Sequence, residues 1–106
     1  GYYDAYYSKA QKVRRLVSEK VDEIFQEHDF IISPTTPDVA FKFGANADNP
    51  IKMYLEDIYT VMANLAGIPA ISFPYGNNSE GLPFSMQVMA PKFKESEAFS
   101  AANTLA

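Results

Sequence analysis

Asp57 is the residue of this chain whose type and position most readily suggest chemistry. The surrounding spacing reads as a helix, on which Asp57 shares a side with Met53, Val61 and Asn64. That side lies next to an apolar stripe of Tyr54, Leu55, Ile58, Met62 and Leu65. A carboxylate at such a margin can stand at the edge of a pocket. A solvated helix acid such as Glu56 meets the same periodicity, and spacing alone favours that plainer reading.

Other chemistries find less support. The serines are scattered singly, none in a Gly-x-Ser-x-Gly setting or beside a lysine relay, so no nucleophile is assigned. The single histidine, His28, falls at the expected end of the first helix, where a cation suits the carbonyl ends, and reads as structural. With no cysteine there is no disulfide, no thiolate nucleophile and no cysteine-ligated zinc. Thr35 and Thr36 follow a strand end, where loops line sites but Ser/Thr/Pro clusters also form plain turns. Asn64 suits a hydrogen bond to a backbone carbonyl. Tyr2, Tyr3, Tyr6 and Tyr7, at helical spacing, read as packing or interface residues rather than a stacking platform.

The elements that must position these groups alternate in type. Apolar residues at Tyr6, Ala10, Val13, Val17, Val21, Ile24 and Phe25 predict an amphipathic helix over 2–28, about 40 Å long. A helix of that length projects beyond any core the rest of the chain can build, so part of its face expects company. Asp29 to Ser33 reads as a strand covered on both faces, since Phe30, Ile31 and Ile32 are consecutive, with Pro34 closing it. The stretch from Pro34 to Pro50 is a long loop in which Phe41 and Phe43 are expected to pack. Asp48 or Asn49 before Pro50 starts a second helix running to about Ala66, stopped by Gly67. Strands follow over roughly 70–75 and 84–89, joined through Asn77-Asn78-Ser79-Glu80-Gly81, and a last helix runs from Lys94.

Several segments carry a resemblance. Asn64-Leu65-Ala66-Gly67-Ile68-Pro69-Ala70-Ile71-Ser72-Phe73-Pro74 and Gly81-Leu82-Pro83-Phe84-Ser85-Met86-Gln87 resemble the amidase signature enzymes. So do, in the same order, Gly1-Tyr2-Tyr3-Asp4-Ala5-Tyr6-Tyr7, Asp29-Phe30-Ile31-Ile32-Ser33-Pro34-Thr35-Thr36-Pro37, Ala40-Phe41-Lys42-Phe43-Gly44 and Met53-Tyr54-Leu55-Glu56-Asp57. Within that family the pattern is most similar to the A subunits of glutamyl-tRNA(Gln) and aspartyl-tRNA(Asn) amidotransferases. Met62 stands where the family commonly has proline, Tyr75 where cysteine is frequent and Ser85 where glycine is usual.

The resemblance implies an α/β fold: a mixed sheet of about three strands, a long N-terminal helix and two further helices. Residues 1–106 would be a single C-terminal piece of an amidase signature domain, truncated at both ends. It implies glutamine hydrolysis through an acyl-serine intermediate, with the Ser-Ser-Lys residues in a region unlike any segment here, so the piece alone is expected to be inactive. Asp57 would pair with the α-ammonium of substrate glutamine, and the arginine for its carboxylate would lie just before Gly1. Subunits B and C would be partners, tRNA would be held only through a partner, and ATP and Mg would act on the partner subunit, with no cofactor in this chain. The alternatives are a freestanding amide hydrolase and a non-catalytic interaction module.

Composition fits an ordered piece of this kind. At 106 residues the chain is one domain at most, and 47% hydrophobic with 21% charged residues excludes a disordered tail. A formal net charge of −4 argues against a broad nucleic-acid surface. The basic cluster Lys9, Lys12, Arg14, Arg15 and Lys20, interrupted by Glu19, Asp22 and Glu23, reads as a solvated face. No apolar run is long enough to span a membrane and no leader pattern is present, so a cytoplasmic location is expected.

Overall fold

A computed structural model describes the backbone of residues 1–106 and every side chain except that of Tyr2, which lies outside the described residues along with its part in the tyrosine set. The predicted first helix is present as α1 (Tyr2–Glu27). His28 caps it, its backbone N–H donating to the Ile24 carbonyl at 3.0 Å. Only the C-terminal half of α1 finds a core. Val21 is 2% exposed and Val17 and Phe25 pack beside it, whereas Tyr3, Tyr7, Val13 and Leu16 face outward.

Three strands form the sheet: β1 (Ile31–Pro34), β2 (Ala70–Asn77) and β3 (Pro83–Met89), in the order β1-β3-β2. Both pairings are antiparallel, so the sheet is uniform where the resemblance implied a mixed one. The reason lies in the connections. The Asn78 to Gly81 turn folds β3 directly back on β2, with Asn78 Oδ1 accepting from the N–H groups of Glu80 and Leu82 at 2.9 and 3.0 Å. β1 takes the other side of β3. As an edge strand it tolerates Pro34 and leaves Ile32 half exposed, while Phe30 and Ile31 are partly buried on opposite faces.

Paired residues of an antiparallel ladder share a face, and the register sorts the sheet accordingly. Ile31 and Met89 lie on one face, packed with Val21 of α1 and with Ala63, Ala66 and Ile68. Val88, Ile71, Met86 and Phe73 lie on the other, against Ala101 and Ala102 of the last helix. The result is a sheet with helices on both faces, 50 × 40 × 17 Å in extent with a radius of gyration of 16.4 Å. A compact chain of this length has about 13 Å, and the excess reflects the projecting α1.

The single helix expected from 49 to 66 is two short ones, α2 (Pro50–Leu55) and α3 (Val61–Ala66), separated by a turn over 56–60. Asn49 caps α2 as expected, its Oδ1 accepting from Lys52 N–H. The ladder then tightens: Asp57 N–H donates to the Tyr54 carbonyl and Ile58 N–H to that of Leu55, both at 3.2 Å and both one residue short of helical register. Thr60 Oγ1 donates back to the Asp57 carbonyl at 3.1 Å, the local competition that weakens helix interiors.

Because the helix is broken, the expected core stripe is not continuous. Tyr54 is 77% exposed, Leu55, Ile58 and Leu65 also face outward, and Met62 alone of that stripe packs partly against the core. The small residues Ala63 and Ala66 are buried instead. Phe41 and Phe43 do not pack either. Backbone turns hold that loop, with Ala45 N–H donating to Lys42 and Ala47 N–H to Gly44, so the aromatic rings are not its anchors.

The last helix, α4 (Glu95–Leu105), starts at Lys94 with Glu95 and Glu97 in its first turn, and Ala98 and Ala102 are buried beneath it. Among the described residues, no helix is long and apolar enough to cross a membrane.

Candidate functional site

The register places Ser33, Gln87 and Ser72 side by side across the three strands, on the same face as Ile31 and Met89. That face is therefore apolar at one end and polar further along. Thr35 continues the polar row. Its backbone N–H donates to the Ser85 carbonyl at 3.1 Å, and its Oγ1 shares a 2.7 Å hydrogen bond with Ser72 Oγ. Thr36 turns away, donating from Oγ1 to the Asp38 carbonyl at 2.7 Å.

At the centre of the row stands Gln87, 3% exposed. Its Nε2 donates to Ser33 Oγ at 3.0 Å and to the Tyr59 carbonyl. Ser33 Oγ in turn donates to the Pro34 carbonyl at 3.0 Å. A hydroxyl has one proton to give, so Ser33 must accept from Gln87, and both N–H groups of the carboxamide are then committed. Gln87 thus ties the turn over 56–60 to the middle of the sheet.

Asp57 lies in that turn rather than within a helix, which corrects the expected setting. Its carbonyl accepts from Thr60 N–H at 3.0 Å, Val61 N–H at 3.2 Å and Thr60 Oγ1. Asp57 is exposed and does not line the groove between α1 and α3. Asn64 stands one helical turn beyond Thr60 and donates from Nδ2 to the Thr60 carbonyl at 2.9 Å, the backbone role expected of it. The turn is therefore braced from both sides while the carboxylate it carries projects outward.

Sequence reasoning did not single out Gln87, Ser33 or Ser72 as site residues. The available signal was their alternation with apolar neighbours inside strands, which sends them to one face together.

A concave region lies between α1 and α3. This cleft of about 570 Å³ is lined by Lys12, Arg14, Arg15 and Lys92, with Gln11 and Ser18. Part of the basic cluster read as a solvated face is thus gathered around one groove. Arg14 is committed there, its Nε donating to the Leu65 carbonyl at 3.2 Å. Tyr3 and Tyr7 stack at 5.7 Å between ring centroids, and the Tyr7 hydroxyl accepts from Gln11 Nε2. Among the described residues, no group of three or more His, Cys, Asp or Glu side chains is placed to hold a metal.

Comparison with known proteins extends these observations. The family model described as Amidase matches residues 1–99. The chain is 53% identical over 103 residues to the A subunit of the glutamyl-tRNA(Gln) amidotransferase of Brevibacillus brevis, covering 97% of this chain and 21% of that one. It is 52% identical over 105 residues to the same subunit of Koribacter versatilis, covering 99% and 22%. The crystal structure of that subunit from Thermotoga maritima superposes with a TM-score of 0.86 at 45% identity, over 92% of this chain and 21% of that one. A Kluyveromyces lactis allophanate hydrolase superposes with a TM-score of 0.78 at 25% identity, over 89% and 15%. The chain spans about a fifth of the length of the curated relatives it matches.

Proposed function

The chain belongs to the amidase family, and from that premise we propose that it is the C-terminal portion of the A subunit of a tRNA-dependent amidotransferase. One observation carries the reading. Identity to these A subunits is 53% across nearly the whole chain, against 25% to the allophanate hydrolase of the same fold. The full subunit would hydrolyse glutamine to supply ammonia for converting Glu-tRNA(Gln) to Gln-tRNA(Gln). Its serine nucleophile, second serine and lysine would stand on polypeptide outside residues 1–106. Subunits B and C would complete a cytoplasmic complex, with tRNA, ATP and Mg²⁺ engaged by the partner.

This segment contributes recognition rather than bond breaking. Asp57 is assigned the α-ammonium of glutamine, an assignment that suits an exposed carboxylate on a turn whose backbone is braced from the sheet. A charged hydrogen bond of this kind separates an amino acid from a simple amide, because an analogue without the ammonium leaves the carboxylate unpaired.

The test uses the full-length protein in its complex, with glutamine and glutaramic acid, the analogue lacking the α-amino group, as alternative substrates. Losing a hydrogen bond between charged groups costs about 1.5–3 kcal/mol, or roughly ten- to a hundred-fold. Asp57→Asn is expected to lower kcat/KM for glutamine by that factor, chiefly through KM, and to leave glutaramic acid unaffected. Unchanged glutamine turnover, with simple amides hydrolysed well, would instead identify a general amide hydrolase.

A further inference from the structure

We propose that Gln87 is a positioning residue for Asp57, and hence sets how well the site tells glutamine from amides that lack an α-ammonium. The inference rests on the role assigned to Asp57 above and adds the means by which the sheet holds that residue in place.

β3 is the central strand, paired on both sides. Gln87 rises from its middle, buried, with one N–H on Ser33 Oγ of β1 and the other on the Tyr59 carbonyl. Tyr59 is two residues beyond Asp57, and the intervening backbone is closed by Thr60 N–H, Thr60 Oγ1 and Val61 N–H on the Asp57 carbonyl. The residue that would bind the ammonium therefore takes its position from a carboxamide that does not touch substrate.

A carboxylate or an apolar side chain at this position would not serve. Ser33 is an acceptor here because its proton goes to Pro34, and the Tyr59 carbonyl can only accept. Two donors on one planar nitrogen are required, which a carboxylate or an apolar side chain lacks. Loss of both bonds would release a turn flanked by two helices of only six residues each. Misplacement of a binding group by about 1 Å costs up to about a hundred-fold.

The experiment pairs Gln87→Met and the near-isosteric Gln87→Glu with the milder Ser33→Ala, in the full-length protein within its complex. Each variant is assayed on glutamine and on glutaramic acid. The readout is the ratio of kcat/KM for the two substrates, with kcat and KM resolved separately. Both Gln87 variants are expected to lower the ratio at least ten-fold, through a higher KM for glutamine, while glutaramic acid turnover stays near wild type. Ser33→Ala, which leaves the Tyr59 bond in place, is expected to lower it about three-fold, within the range of one neutral hydrogen bond, and carries the test if the Gln87 variants do not assemble.

In an Asp57→Asn background the Gln87 substitutions should change the ratio no further, since the group they position is already gone. Equal loss on both substrates, or an unchanged ratio, would overturn the positioning role. If Asp57→Asn itself leaves the ratio unchanged, it is the ammonium assignment that fails.

Discussion

Arg14 and Leu65, 51 residues apart in the chain, are joined by a hydrogen bond from the Arg14 Nε to the Leu65 carbonyl at 3.2 Å. Leu65 belongs to the last turn of α3, whose terminal carbonyls have no intrahelical donors, and a cation there also suits the helix dipole. One arginine therefore fastens the long helix to the short one and supplies a partner that α3 lacks.

Arg14→Met is accordingly expected to destabilise the protein by about 0.5–1.5 kcal/mol, the net range of such a bond, and towards its lower end because the site is exposed. Denaturant unfolding would measure it. Arg14→Lys should recover only part of the loss, since a flexible ammonium does not reproduce the fixed direction of the guanidinium N–H.

Gly67 ends α3 at φ 68° and ψ 38°, with its N–H on the Ala63 carbonyl at 2.9 Å and that of Ile68 on the same oxygen at 3.2 Å. A Cβ added there would meet nothing within 4 Å, so the backbone alone sets the cost. Gly67→Ala should lose about 1–2 kcal/mol, the left-handed penalty. Gly67→Asn should lose less, because asparagine visits that region more readily. Comparing the melting temperatures of the two variants separates conformational strain from steric clash, which would penalise the larger side chain more.

Ala102 of α4 is buried against Phe73 and Val88, where a small side chain lets the helix lie close to the sheet. Ala102→Leu is expected to cost about 1–3 kcal/mol by overpacking. Val88→Ala, at a position with no exposure, should cost about 2 kcal/mol through the lost methyls and the cavity they leave. If the helix could withdraw freely from the sheet, the leucine variant would unfold at the wild-type denaturant concentration.

Local features were legible because their causes lie within a few residues. The extent of α1 follows from the spacing through Val17, Val21 and Phe25, and the stop at Gly67 from the stereochemistry of glycine followed by Pro69. The hairpin of β2 and β3 follows from the turn at Asn78 to Gly81. Asp57 could be selected as a candidate from its family-like setting, yet its place in a turn could not. Periodicity from Tyr54 to Leu65 fits one helix equally well, and it does not show that Gln87 will engage Tyr59 from 28 residues away.

Sequence by itself thus determined the helices and strands whose signals are carried by side-chain period, capping and turn residues, together with the family to which the chain belongs. Tertiary structure decided the β1-β3-β2 order, the break between α2 and α3, and the polar row of Ser33, Gln87, Ser72 and Thr35. The physical reason is that hydrogen-bond donors are satisfied by whichever acceptor the register brings opposite them. Gln87 and Ser33, 54 residues apart, become partners only when β1 pairs with β3.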